Sequence, residues 1–65
     1  MLIINGKERE FPGEITIREL LAAENYKNSY VAVEQNEVII PREKFDEARI
    51  HDGDRIEIVS FMGGG

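Results

Sequence analysis

The chain has no cysteine, no tryptophan, one histidine and only 2 prolines in 65 residues. Without thiols it has no disulfide staple, no thiolate metal site and no cysteine nucleophile, a composition that fits a reducing cytoplasm. Serine and threonine are nearly as scarce, limited to Thr16, Ser29 and Ser60. With His51 as the sole imidazole, no nucleophile, base and orienting group can be assembled from the sequence. Cations are the minority charge: 8 Lys and Arg stand against 13 Asp and Glu, for a formal net charge of -5. They are scattered rather than clustered, which opposes nucleic-acid binding and favours a basic protein surface as partner. No apolar run is longer than Met1 to Ile4, far short of the roughly 20 residues that cross a bilayer, and no signal-peptide core follows. The expectation is a soluble cytoplasmic protein with no membrane or nucleic-acid partner, no metal and no bound cofactor.

What is present reads as one small folded body. The hydrophobic fraction of 42% is ordinary for a globular chain. Met1-Leu2-Ile3-Ile4 is strand-prone and runs into Asn5-Gly6, a pair that favours two-residue hairpins because both residues accept positive φ. A second strand is expected from Lys7 to Phe11, closed by Pro12-Gly13. Thr16 and Glu19 have capping-box spacing, and Ile17, Leu20 and Leu21 put an apolar face on a helix predicted over Ile17 to Glu24. Asn25 to Ser29 is polar and reads as a loop. Tyr30 to Glu34 and Val38 to Ile40 form a second predicted hairpin through Gln35-Asn36-Glu37, stopped by Pro41. Arg42 to Ala48 is a charged turn pinned by Phe45, and Arg55 to Phe61 is the clearest strand in the chain. The order of strand, strand, helix, strand, strand, strand gives an α+β chain with a mixed sheet of about five strands and one main helix.

Several polar groups are read as structure rather than chemistry. His51 precedes the Asp52-Gly53-Asp54 turn and is expected to be solvated, and the two aspartates supply turn chemistry, not a calcium loop. The acidic stretch Glu43 to Glu47 is a solvated face. In the last strand, period-two alternation puts Ile56 and Ile58 in the core and directs Val59 and Phe61 the other way. Those two, with Met62, are the candidate partner-docking residues. They lead into Gly63-Gly64-Gly65.

Three successive glycines are a poor end for a strand and a good flexible thread. Either a frayed terminus or a functional tail accounts for them, so the division is residues 1–61 as the domain and 62–65 as the tail. The α-carboxyl of Gly65 is an anion at neutral pH and must be activated before it reacts, for example as an acyl-adenylate from which sulfur displaces AMP. Gly63 and Gly64 lack side chains that would obstruct a narrow channel leading to a nucleotide.

Ile3-Ile4-Asn5-Gly6, Val31-Ala32-Val33-Glu34-Gln35-Asn36, Ile40-Pro41-Arg42, Asp52-Gly53-Asp54 and the closing Gly64-Gly65 occur in one order along the chain. In this the sequence resembles the ThiS family of thiamine-biosynthesis sulfur carriers over essentially its whole length. The resemblance implies a ubiquitin-like β-grasp domain that is a carrier acted on by enzymes, and not an enzyme. It implies Gly65 as the residue adenylated and converted to a thiocarboxylate, with Gly64 as its required neighbour and Gly63 beyond the minimal diglycine. The implied partners are a ubiquitin-activating-like adenylyltransferase that uses ATP, a sulfur donor such as a cysteine desulfurase system, and thiazole synthase as recipient. A molybdopterin-synthase sulfur carrier subunit and a ubiquitin-like protein modifier share the same terminus and stand as alternatives.

Overall fold

Asn5 and Gly6 both take positive φ, 50° and 82°, the conformation whose twist matches the strands it joins. They fold β1 (Leu2–Ile4) back on β2 (Lys7–Arg9), with Ile4 opposite Lys7 and Leu2 opposite Arg9. The second strand therefore ends at Arg9 rather than Phe11, because no residue of β1 remains opposite Glu10 and Phe11. The structure is a computed structural model and describes residues 1–26 and 30–61.

The helix α1 (Ile17–Ala23) begins as its capping box requires: the Glu19 amide donates to Thr16 Oγ1 at 3.1 Å and the Thr16 amide donates to Glu19 Oε1 at 2.8 Å. At its other end Asn25 adopts a left-handed φ of 69°. The Asn25 amide reaches the Ala22 carbonyl at 3.2 Å and the Tyr26 amide reaches the Leu21 carbonyl at 2.7 Å. These two bonds close a Schellman motif, so Glu24 is the cap and not a further helical residue.

The second hairpin joins β3 (Val31–Gln35) to β4 (Val38–Ile40), and Gln35 belongs to the strand, which leaves Asn36 and Glu37 as a two-residue loop. Both loop residues have positive φ, 52° and 70°. After Pro41 a short 3-10 turn spans Arg42–Lys44, fastened by the buried Phe45 ring, and the chain then runs through Ile50 to β5 (Arg55–Ser60).

The five strands lie in the order β2-β1-β5-β3-β4, with β5 parallel to β1 and every other neighbour antiparallel. The last strand thus sits at the centre of the sheet. One core joins Leu2 and Ile4, the helical Ile17, Leu20 and Leu21, Val31 and Val33, Phe45, Ile50, and Ile56 and Ile58. Alternation decides which face each strand residue joins: β3 and β5 bury every second residue, down to the half-buried Gln35 and Ser60 at their ends, and expose those between. This mixed five-strand sheet with one helix is the ubiquitin-like β-grasp arrangement. Among the described residues no helix is long and apolar enough to cross a membrane.

Candidate functional site

The strand that leads into the glycine sequence is held from both sides. Asn5, besides shaping its turn, accepts a hydrogen bond from the Ile58 amide on Oδ1 at 2.7 Å and donates its own amide to the Ile56 carbonyl at 2.9 Å. On the other flank the Arg55 amide donates to Asn36 Oδ1 at 3.0 Å, and the Asn36 amide donates to the Arg55 carbonyl at 2.8 Å. Two side chains from hairpin turns therefore set the register of β5, in addition to its ladders with β1 and β3.

The start of β5 is fixed by Asp54, which is 7% exposed and the one buried charged residue among those described. Its Oδ2 accepts from Gln35 Nε2 at 2.7 Å and from the His51 amide at 2.7 Å, while Oδ1 accepts from Asn36 Nδ2 at 2.9 Å. Burial works against the ionised carboxylate, but the bonds from Asn36, Gln35 and the His51 amide outweigh it, so Asp54 titrates below the ordinary 3.8. Gln35 Nε2 also reaches the Arg49 carbonyl at 2.9 Å. The sequence reading of Asp54 as a turn residue is correct in part: its amide closes the turn on the His51 carbonyl at 3.0 Å. Its carboxylate, however, is a buried hub that ties the start of β5 to the end of β3 and its turn. His51 is exposed, with Nδ1 3.2 Å from Glu14 Oε2, and Asp52 is exposed.

At the far end of β5 the alternation places Val59 and Phe61 outward, 56% and 52% exposed. Val59 faces Ala32 across the ladder, and the Phe61 amide extends that ladder by donating to the Tyr30 carbonyl at 2.8 Å. Tyr30 is 65% exposed, and its ring centroid is 6.1 Å from that of Phe61 with the planes tilted by 59°. The guanidinium carbon of Arg42 lies 4.6 Å from the Tyr30 ring centroid, a cation–π distance. Sequence reasoning offered neither Tyr30 nor Arg42 as a docking residue, and Arg42 entered it only within the Ile40-Pro41-Arg42 motif. Period-two spacing puts Tyr30 in phase with the exposed Ala32, a usable signal, whereas the approach of Arg42 depends on the path after Pro41. Met62, Gly63, Gly64 and Gly65 lie outside the described residues.

Farther along the same outer face Glu34 stands directly opposite Glu57, with Ile39 on the other side of Glu34. Like charges in register disfavour a strand pair. The outer face therefore carries an apolar and aromatic zone near the end of β5 and an acidic zone at its middle.

Comparison with known proteins agrees with this architecture. The model of the ThiS family matches residues 2–65. The chain is 44% identical over 66 residues to the sulfur carrier protein ThiS of Bacillus subtilis, covering 100% of both chains. It is also 42% identical over 64 residues to a thiazole synthase of Paramagnetospirillum magneticum, covering 98% of this chain but spanning only 20% of that protein's length. The crystal structure of the thiamine biosynthesis protein ThiS from Geobacter metallireducens superposes with a TM-score of 0.82 at 40% identity, covering 98% of this chain and 97% of the other. From strand order to chain-long similarity, these observations converge: the chain belongs to the ThiS family.

Proposed function

We propose that this protein is the sulfur carrier of thiamine biosynthesis and that the Gly65 carboxyl is the group it carries sulfur on. The observation that bears most of the weight is the end-to-end similarity to the Bacillus subtilis sulfur carrier. A chain similar to part of a thiazole synthase supports thiazole synthase as the recipient.

In the proposed cycle the Gly65 carboxylate oxygen attacks the α-phosphorus of ATP on a partner adenylyltransferase, and pyrophosphate leaves. Sulfur carried as a persulfide on a desulfurase-type donor is released as sulfide by a thiol reductant, which ends as a disulfide; the sulfide then attacks the acyl carbon of the adenylate, expels AMP and leaves a thiocarboxylate. Transfer of that sulfur to the thiazole synthase substrate and hydrolytic replacement by oxygen regenerate the carboxylate. The chain itself supplies no acid, base or nucleophile to these steps beyond its own terminus. Its contribution is delivery: Gly63 and Gly64 admit the terminus to a confined site, while Val59, Phe61 and Met62 dock the body at its entrance. ATP is a substrate of the partner and is not bound by this chain.

Incubation with ATP, sulfide and an adenylyltransferase that acts on ThiS proteins, followed by intact-mass analysis, tests the reading. The sulfur-for-oxygen exchange adds about 16 Da and should map to Gly65. An unchanged mass under conditions that thiocarboxylate the Bacillus subtilis protein would refute it.

A further inference from the structure

Arg42 opens the 3-10 turn directly after Pro41, where the buried Phe45 fastens the turn to the core. Arg9 and Arg18 pair with the carboxylates of Glu24 and Asp46, and Arg49 donates to the Glu14 carbonyl, while Arg55 has no ion pair among the described residues. Among the described residues Arg42 forms no ion pair and rests instead on the face of Tyr30. A cation–π contact with one ring does not use all five N–H donors of a guanidinium, whose fork binds a carboxylate in bidentate fashion.

Position gives this cation a meaning. Arg42, Tyr30 and Phe61 form one exposed row, and Phe61 is four residues before Gly65 in the sequence. Four extended residues reach about 14 Å at most, so an enzyme holding the Gly65 carboxyl has its surface within about that distance of the row. The charge pattern adds an orientation: cationic at Arg42, apolar at Phe61 and Val59, acidic at the facing Glu34 and Glu57.

We propose that Arg42, Tyr30 and Phe61 form a docking epitope for the adenylating enzyme, whose surface offers an apolar pocket for the two rings and a carboxylate at its rim for the guanidinium. A second copy of this chain fits less well, since two bodies of net charge -5 repel. The inference rests on the sulfur-carrier reading and adds Arg42 and Tyr30, which that reading leaves without a role, to Phe61.

The test is the KM for this protein in ATP–pyrophosphate exchange by an adenylyltransferase that acts on ThiS proteins, using the full chain as Arg42→Ala, Arg42→Lys, Arg42→Glu and Tyr30→Ala. Loss of a charge-assisted contact in Arg42→Ala should raise KM roughly ten- to a hundredfold while kcat stays within about twofold. Arg42→Glu should be worse, and Arg42→Lys should recover only part of the loss because an ammonium lacks the planar fork. Added salt should raise KM more in the wild type than in Arg42→Ala. Circular dichroism confirms that each variant is folded; should Arg42→Ala not be, Arg42→Lys carries the test. A KM for Arg42→Ala within about twofold of wild type, or full recovery by lysine, overturns the epitope. Wild-type protein that supports no exchange at all overturns the sulfur-carrier reading instead.

Discussion

Replacing Asp54 by Asn is the most direct probe of what holds β5 in place, because the change is nearly isosteric and the geometry forbids an easy remedy. The carboxylate receives three N–H donors: two on Oδ2, from Gln35 and the His51 amide, and one on Oδ1, from Asn36. An asparagine can keep its oxygen where two donors converge, but its NH2 then faces the Asn36 NH2. Turning the Asn36 amide over does not help, since its oxygen already accepts from the Arg55 amide. One hydrogen bond to a charged group is lost, at about 1.5–3 kcal/mol, and the other two weaken to neutral strength, giving an expected total of about 2–4 kcal/mol. For a chain of this size the whole folding stability is roughly 3–10 kcal/mol. At about 4–8 °C per kcal/mol, the melting midpoint followed by circular dichroism at pH 7 should fall by about 8–32 °C. The acid side supplies a second readout. Asp54 titrates below the ordinary 3.8 in the folded protein, so its ionised form stabilises the fold fully above that value and the benefit disappears as pH falls through the folded-state pKa. Wild type and Asp54→Asn should therefore converge in stability below pH 3.8. A variant melting within about 2 °C of wild type at pH 7, or a gap that persists undiminished in acid, would show that the buried hub contributes little.

Two further changes test the local geometry. Glu37→Gly should stabilise the protein by about 1 kcal/mol in urea titration, because Glu37 carries a side chain at φ 70° where glycine has no penalty. Thr16→Ala removes the hydroxyl half of the capping box of α1 and should cost about 1 kcal/mol in the same titration, with Thr16→Ser restoring most of it.

Local chemistry made much of this fold legible. Asn5-Gly6 specifies its turn from two adjacent residues, Thr16 and Glu19 specify a helix start from four, and the alternation around Ile56 and Ile58 specifies which face of β5 is buried. Each of those signals is complete within a few positions. The limits of β2 and α1 were less legible because they depend on partners: β2 ends where β1 runs out of residues, and α1 ends where the Asn25 turn takes over its carbonyls. The hub at Asp54 was not legible at all. Asp52-Gly53-Asp54 is a sufficient turn signal by itself, and nothing local says that Gln35 and Asn36, eighteen or more positions away, will bring two amides to the second aspartate. The same holds at the candidate site. Exposure of Val59 and Phe61 follows from strand period, whereas the stack of Arg42 on Tyr30 requires that the chain after Pro41 return over the start of β3.

The proposed mechanism asks the folded body to offset what the glycine sequence costs. Ordering Gly63, Gly64 and Gly65 in a partner's channel takes roughly 1–2 kcal/mol of backbone entropy per residue, or about 3–6 kcal/mol together. Residues without side chains return little of that by contact. Tyr30, about two-thirds exposed, and Phe61, about half exposed, leave roughly 100 Å² or more apiece to be covered by a partner, worth about 2–3 kcal/mol each at 25 cal/mol per Å². The two rings alone thus nearly cancel the ordering of the three glycines, and the net affinity must come from the rest of the outer face and its charges. This arithmetic works only if the rings are already fixed when the partner arrives, since ordering β5 in the same step would add its own entropy. The hydrogen bonds from Asn5, Asn36 and the neighbouring strands do that work in advance. Asp54, buried at the start of β5 and remote from any chemistry, then matters to sulfur delivery because it fixes the strand that presents the rings.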